Sequence, residues 1–184
     1  MGARLSRRFA AVIVAAATVT LLSGTPAHAQ TLTDDALRNA SYLFPTTTDW
    51  WVRLTDGEYS ETDEHGSTLR LWLENIARGD LDGDGAEEAV VVLVWNGGGS
   101  GTFLSLAVVE NWNGAPMHRG TVRLPERSEV QSLEVDGRRI VAHLLEPPRP
   151  RPRSMTDPEQ VHVYEWTDGE LFEATAPGPG AREM

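Results

Sequence analysis

The chain contains no cysteine and no lysine. Without cysteine there is no disulfide, no thiolate metal site and no cysteine nucleophile. The fold must therefore rest on core packing and on any metal that oxygen or imidazole ligands can hold. Positive charge is scarce as well: 16 arginines face 27 acids, for a net charge of −11. Such a chain is repelled by nucleic acid and by anionic lipid. Repeats at propeller or solenoid periods are missing, and so is a set of histidines at zinc-ligand spacing.

The N-terminus has the form of a secretory leader. Arg4, Arg7 and Arg8 precede the apolar run Phe9 to Leu22, and Ala27 to Ala29 reads "AHA", a small-x-small cleavage site. The run is short for a membrane span, which needs roughly 20 residues. Residues 1–29 are expected to be a signal peptide cut before Gln30, with no transmembrane segment afterwards. "LLSGT" has the shape of a lipoprotein box, with Thr25 where the lipidated cysteine would stand. The expected product is secreted or periplasmic, soluble and not lipidated. Loss of the three leader arginines takes its net charge from −11 to −14.

Residues 30–173 are expected to form a single β-rich domain, and 174–184 a disordered tail. One helix is predicted over "TDDALRNASYLF", with Thr33 as N-cap, acids in the first turn and Pro45 closing it. Beyond it the pattern is β. Asp56-Gly57, Asn113-Gly114, Asp136-Gly137 and Asp168-Gly169 separate runs rich in valine, leucine and aromatics, a strong hairpin signal. Strands are predicted near 49–55, 57–62, 67–77, 87–96, 101–112, 117–124, 128–135, 138–146, 160–166 and 169–173. "AVVVLVW" and "FLSLAVV" are apolar on both alternations, so both faces should be covered. The fold class is mainly β: an antiparallel sheet or two-layer β-sandwich with one short N-terminal helix. The Pro/Arg segment 147–153 should be an extended surface excursion or a partner-docking arm.

The most informative stretch is "RGDLDGDGAEEAVVVLVW", Arg78 to Trp95, with five carboxylates between Asp80 and Glu88. Counted from Asp80, oxygens recur at alternate positions: Asp80, Asp82, Asp84, the carbonyl of Ala86, and Glu88. Gly85 at position 6 permits a sharp turn. Calcium takes six to eight hard oxygens, and this spacing wraps them around one point. Without a cation the carboxylates repel one another. Magnesium fits less well because it wants a tight octahedron and keeps its water. The loop has no flanking helices, and position 12 is Val91 rather than a bidentate glutamate, so it is not a helix-flanked calcium hand.

"GDLDGDGAEEAVVVL" is similar to the calcium loop of FG-GAP repeats, found in integrin-type propeller blades and many bacterial surface proteins. The resemblance implies one calcium ion (Ca2+) held in a strand–loop–strand unit. A longer stretch, through "GGGSGTFLSLAVV" to "VQSLEVDGRRIV", resembles small bacterial exported proteins and lipoproteins of unassigned function. Members of that group often carry a cysteine-containing segment after these strands, where this chain has "RPRPRSMTDPEQ".

Other features read more blandly. "NGGGSGT" lacks the Lys-Ser/Thr ending and following helix of a phosphate loop, and is expected to be a hairpin connection. Six tryptophans, at 50, 51, 72, 95, 112 and 166, are expected mostly in the core and at sheet edges. Exposed, they would suit sugar stacking. Neither Ser100 nor Ser105 sits in a nucleophile elbow, and nothing places Glu61 and Glu64 across a cleft. The expected function is that of an exported calcium-binding domain of non-enzymatic, binding or envelope-interaction type, with a protein or glycan partner. The alternatives are a carbohydrate-binding module and an uncharacterised hydrolase.

Overall fold

A computed structural model describes residues 31–44, 50–146, 160–167 and 169–174. The expected leader, the Pro/Arg segment, Pro45 and nearly all of the expected tail lie outside the described residues. The rest is mainly β, in antiparallel sheets with very little helix.

The helix is shorter than its sequence suggests. It runs Asp34–Arg38 (α1), and the Thr33 hydroxyl caps it by accepting from the Ala36 N–H at 3.1 Å. The chain then turns at Asn39, and Ser41–Phe44 becomes a strand (β1) paired with Trp50–Arg53 (β2). Alternation wins here over helical spacing, because Tyr42 and Phe44 thereby share one face and are both buried. The Tyr42 hydroxyl donates to the Leu37 carbonyl at 2.7 Å, fastening helix to strand.

Nine further strands follow the expected positions closely: β3 (Glu58–Thr62), β4 (Thr68–Gly79), β5 (Glu88–Asn96), β6 (Phe103–Trp112), β7 (Ala115–Arg123), β8 (Glu129–Asp136), β9 (Arg139–Leu145), β10 (Gln160–Thr167) and β11 (Glu170–Ala174). Strands β3 to β7 form one sheet in chain order. The second is ordered β11-β10-β9-β8. Asn113 and Gly114 both take positive φ, as a two-residue hairpin turn needs. The β8–β9 turn lies one residue later than its Asp-Gly signal, since Asp136 already pairs with Arg139 and Gly137 takes the positive φ.

The doubly apolar strands β5 and β6 are covered on both faces. One face packs Val91, Leu93, Ala107 and Val109 against α1, β1 and β2. The other packs Val90, Val92, Leu106 and Val108 against Ile140, Ala142, Leu144, Tyr164 and Trp166 of the four-stranded sheet. The two larger sheets make the expected sandwich, and the helix with its two-stranded sheet forms a further layer outside it. The sandwich closes where β4 lies along β8 and β7 along β11. Two glycines let the sheets approach closely, one on β4 against β8 and one on β7 against β10. A Cβ on Gly79 would lie 2.4 Å from Val135, and one on Gly120 would lie 2.6 Å from the Trp166 ring.

Candidate metal centre

The acidic loop joins β4 to β5, and its ends are fixed by the pairing of Gly79 with Glu88. Leu81 turns away from the acids into the core between the two larger sheets and is fully buried there. The Arg138 Nε–H donates to the Leu81 carbonyl at 3.3 Å, tying the loop to the β8–β9 turn. Gly83 and Gly85 take φ of 83° and 87°, a left-handed conformation that costs other residues energy. Position 85 was legible in the sequence; the requirement at 83 was not.

Each aspartate also organises backbone. Asp80 accepts from the Gly83 N–H at 2.6 Å on one oxygen and from the Gly85 N–H at 3.0 Å on the other. Asp82 accepts from the Asp84 N–H at 3.0 Å, and Asp84 from the Ala86 N–H at 2.7 Å. Glu88 is 3% exposed and accepts from the Leu81 N–H at 2.8 Å. Glu87 points elsewhere, accepting from the Thr31 hydroxyl at 3.0 Å.

These bonds bring Asp80, Asp82 and Glu88 together, each with one carboxylate oxygen within 4.8 Å of the others, a cluster that can hold a metal ion. Asp84 and Ala86 line the same loop, but Asp84 is not part of that cluster. Burial pushes the Glu88 carboxyl above its usual range. The Leu81 N–H opposes this, and the charges of Asp82, Asp84 and Asp80 add to it. The cluster is thus a place where negative charge is costly and a cation would relieve it. Carboxylate oxygens have spare lone pairs, so the backbone bonds and a metal are compatible. The donor set is all oxygen, which suits a hard cation.

Asp82 also lines an open cleft of about 490 Å3 with Glu110, Arg119, Arg138 and Trp166. Its other carboxylate, Glu110, is bound to Arg119 at 2.6 Å. The glycine loop after β5 is a hairpin connection closed by Asn96, whose side chain accepts from the Gly98 N–H and donates to the Gly101 carbonyl, both at 2.8 Å. Of the tryptophans, Trp51 is 58% and Trp112 is 56% exposed, while Trp166 is buried and Trp50 packs against Tyr59.

No family model, no curated protein and no solved structure matches this chain. Among the described residues no helix is long and apolar enough to cross a membrane.

Proposed function

We propose that this is an exported β-domain that binds one calcium ion through Asp80, Asp82 and Glu88, with Asp84 and the Ala86 carbonyl completing the shell. The metal is mainly structural, and the domain works by binding a protein or glycan at the cell envelope rather than by catalysis. The observation that carries this reading is the convergence of three carboxylates, one of them buried, on a loop already shaped by two left-handed glycines. Isothermal titration of the mature protein should give a saturable calcium heat with one site, and a weaker magnesium response. Absence of any calcium heat would remove the proposal. Export is checked separately by mass mapping of the mature N-terminus, expected at Gln30.

A second reading is favoured by one observation. Trp51 and Trp112 are large, exposed aromatic rings, and Trp51 meets the His118 ring edge-on at 5.5 Å. Such rings suit stacking on sugars. A carbohydrate-binding role predicts saturable quenching of tryptophan emission by soluble glycans, lost in Trp51→Ala.

A further inference from the structure

Two hollows meet at the end of the sandwich that carries the acidic loop. The first, of about 490 Å3, lies between that loop, β6, β7 and the end of β10. The second, of about 500 Å3, lies beside it, at the β8–β9 turn and the end of β10. Arg138, Trp166 and Thr167 line both, so the two form one groove with Arg138 at its middle. Each hollow has the size of a small-molecule cleft, roughly 300–1,000 Å3.

The arginines at the two ends of the groove are paired, and the one at its middle is not. In the first hollow a β-bulge leaves Arg119 as an extra residue opposite Val108 and Val109. The bulge lets His118 face Tyr42 while Gly120 faces Trp166, and it turns Arg119 towards Glu110. The Arg119 Nε and Nη2 lie 2.7 and 2.6 Å from the same oxygen, Glu110 Oε2. In the second hollow the Arg139 Nε meets Glu165 Oε1 at 3.0 Å. Arg138 has its Nε on the Leu81 carbonyl, which fixes that end of the guanidinium. Its terminal nitrogens make no hydrogen bond or ion pair among the described residues. Asp82 and Asp136 each line one hollow, and neither is ion-paired with it.

A ligand that fills the groove takes water away from Arg138, and a guanidinium without water needs an acceptor. Its free fork matches a carboxylate. A dianion such as a phosphate monoester fits less well, because Asp82 and Asp136 flank the fork and the whole chain carries −11. The rest of the lining is polar and balanced in charge. Glu110 keeps Oε1 as an acceptor for hydroxyls, and the paired arginines keep spare N–H donors. On β6, Trp112 follows Glu110 by two residues, so its exposed ring stands on the same side of the strand, beyond the first hollow. A flat ring there suits the apolar face of a sugar. We infer that the groove binds an acidic glycan, with a uronate carboxylate on the Arg138 fork and neighbouring hydroxyls on Glu110 and the paired arginines. This rests on the reading of the domain as a binding module and names its ligand class; it does not need the metal.

The test is a binding titration of the full mature chain in chelator, so that calcium bridges neither protein nor ligand. The probes are a glucuronate-containing oligosaccharide, its neutral glucose counterpart and a glutamate-rich peptide of similar length. The uronate should bind saturably, and the other two about tenfold more weakly or not at all, the loss of one charge-assisted pair. In Arg138→Gln the side-chain amide can still donate to the Leu81 carbonyl, but the fork is gone. Uronate affinity should fall about tenfold while the melting midpoint in chelator stays at the parental value, and Arg138→Lys should not restore it. The inference is overturned if the uronate does not bind, if the neutral sugar binds equally, if Arg138→Lys binds like the parent, or if the peptide binds as tightly, which would assign the groove to an acidic protein. The comparison of probes needs no variant, so it decides the matter even if Arg138→Gln fails to fold. A separate calcium titration that gives heat, beside no uronate binding, would overturn this inference and leave the metal reading standing.

Discussion

Asp80 and Asp82 differ in what their oxygens already do. Asp80 uses both oxygens to hold backbone N–H groups, whereas Asp82 uses one. Asparagine has a single carbonyl oxygen. Asp82→Asn should keep its backbone bond, relieve repulsion in the metal-free loop and weaken calcium binding. Asp80→Asn should weaken binding and also destabilise the metal-free protein by about 1 kcal/mol, one lost hydrogen bond. Glu88→Gln keeps an acceptor for Leu81 and removes a buried charge, so it should match or exceed the parent without calcium and fall behind it with calcium. Chemical denaturation of each variant with calcium and with chelator checks these signs. An acidic turn with no metal role would show the same change in both conditions.

His118 supplies a pH effect at the same scale. Burial lowers its pKa from 6.5 to about 4, and its Nδ1 is buried without a partner. The unfolded chain therefore binds this proton more readily than the folded one between those values. Stability should be intact above pH 6.5, fall as pH drops towards 4, and level off below. The loss is on the order of 3 kcal/mol. The raised carboxyls of Glu74 and Glu88 act in the opposite direction over the acid range, since the folded chain takes up their protons first. Urea midpoints across this range isolate the histidine share if His118→Gln is measured beside the parent: the variant should show the shallower decline.

At the scale of elements, β5 and β6 bury both faces. Leu93 belongs to the core under α1, β1 and β2, and Leu106 to the core under the four-stranded sheet. Leu93→Ala and Leu106→Ala should each cost about 2–5 kcal/mol in urea unfolding. A sheet with one solvated face would make one of the two nearly silent. These strands were legible because a run apolar at odd and even positions has no side left for water. The hairpins were legible because two-residue turns demand glycine or asparagine. Strand β1 was not, since "SYLF" continues an apolar pattern that a helix also satisfies, and its pairing with "WWVR" is a tertiary choice. The acidic loop was legible as a set of oxygens at alternate positions. That Glu88 would be buried, and that Asp84 would cap Ala86 instead of joining the cluster, depends on where Leu81 plugs the core. The placing of His162 within 2.9 Å of Glu146 and 2.7 Å of Glu173 had no sequence signal, because the three are brought together by the packing of β9, β10 and β11 and not by their spacing.

For the whole molecule, the loop lies at one end of the sandwich, where Leu81 enters the core and Arg138 ties it to the opposing sheet. Calcium bound there should stabilise the native state by mass action. Extracellular modules bind calcium with Kd on the order of 10⁻⁴–10⁻³ M. At roughly 1 mM calcium this contributes about 0.4–1.4 kcal/mol. The apo chain should therefore still fold, with packing in two cores supplying most of its stability.

Thermal melting of the mature protein with calcium, with magnesium and with chelator tests the proposed metal centre most directly. For a chain of this size the midpoint should rise by about 1–5 °C with calcium. It should return to the apo value with chelator, respond less to magnesium, and lose most of the calcium response in Glu88→Gln. A midpoint indifferent to calcium and chelator would contradict the account and leave the loop as an acidic turn held by its own backbone hydrogen bonds.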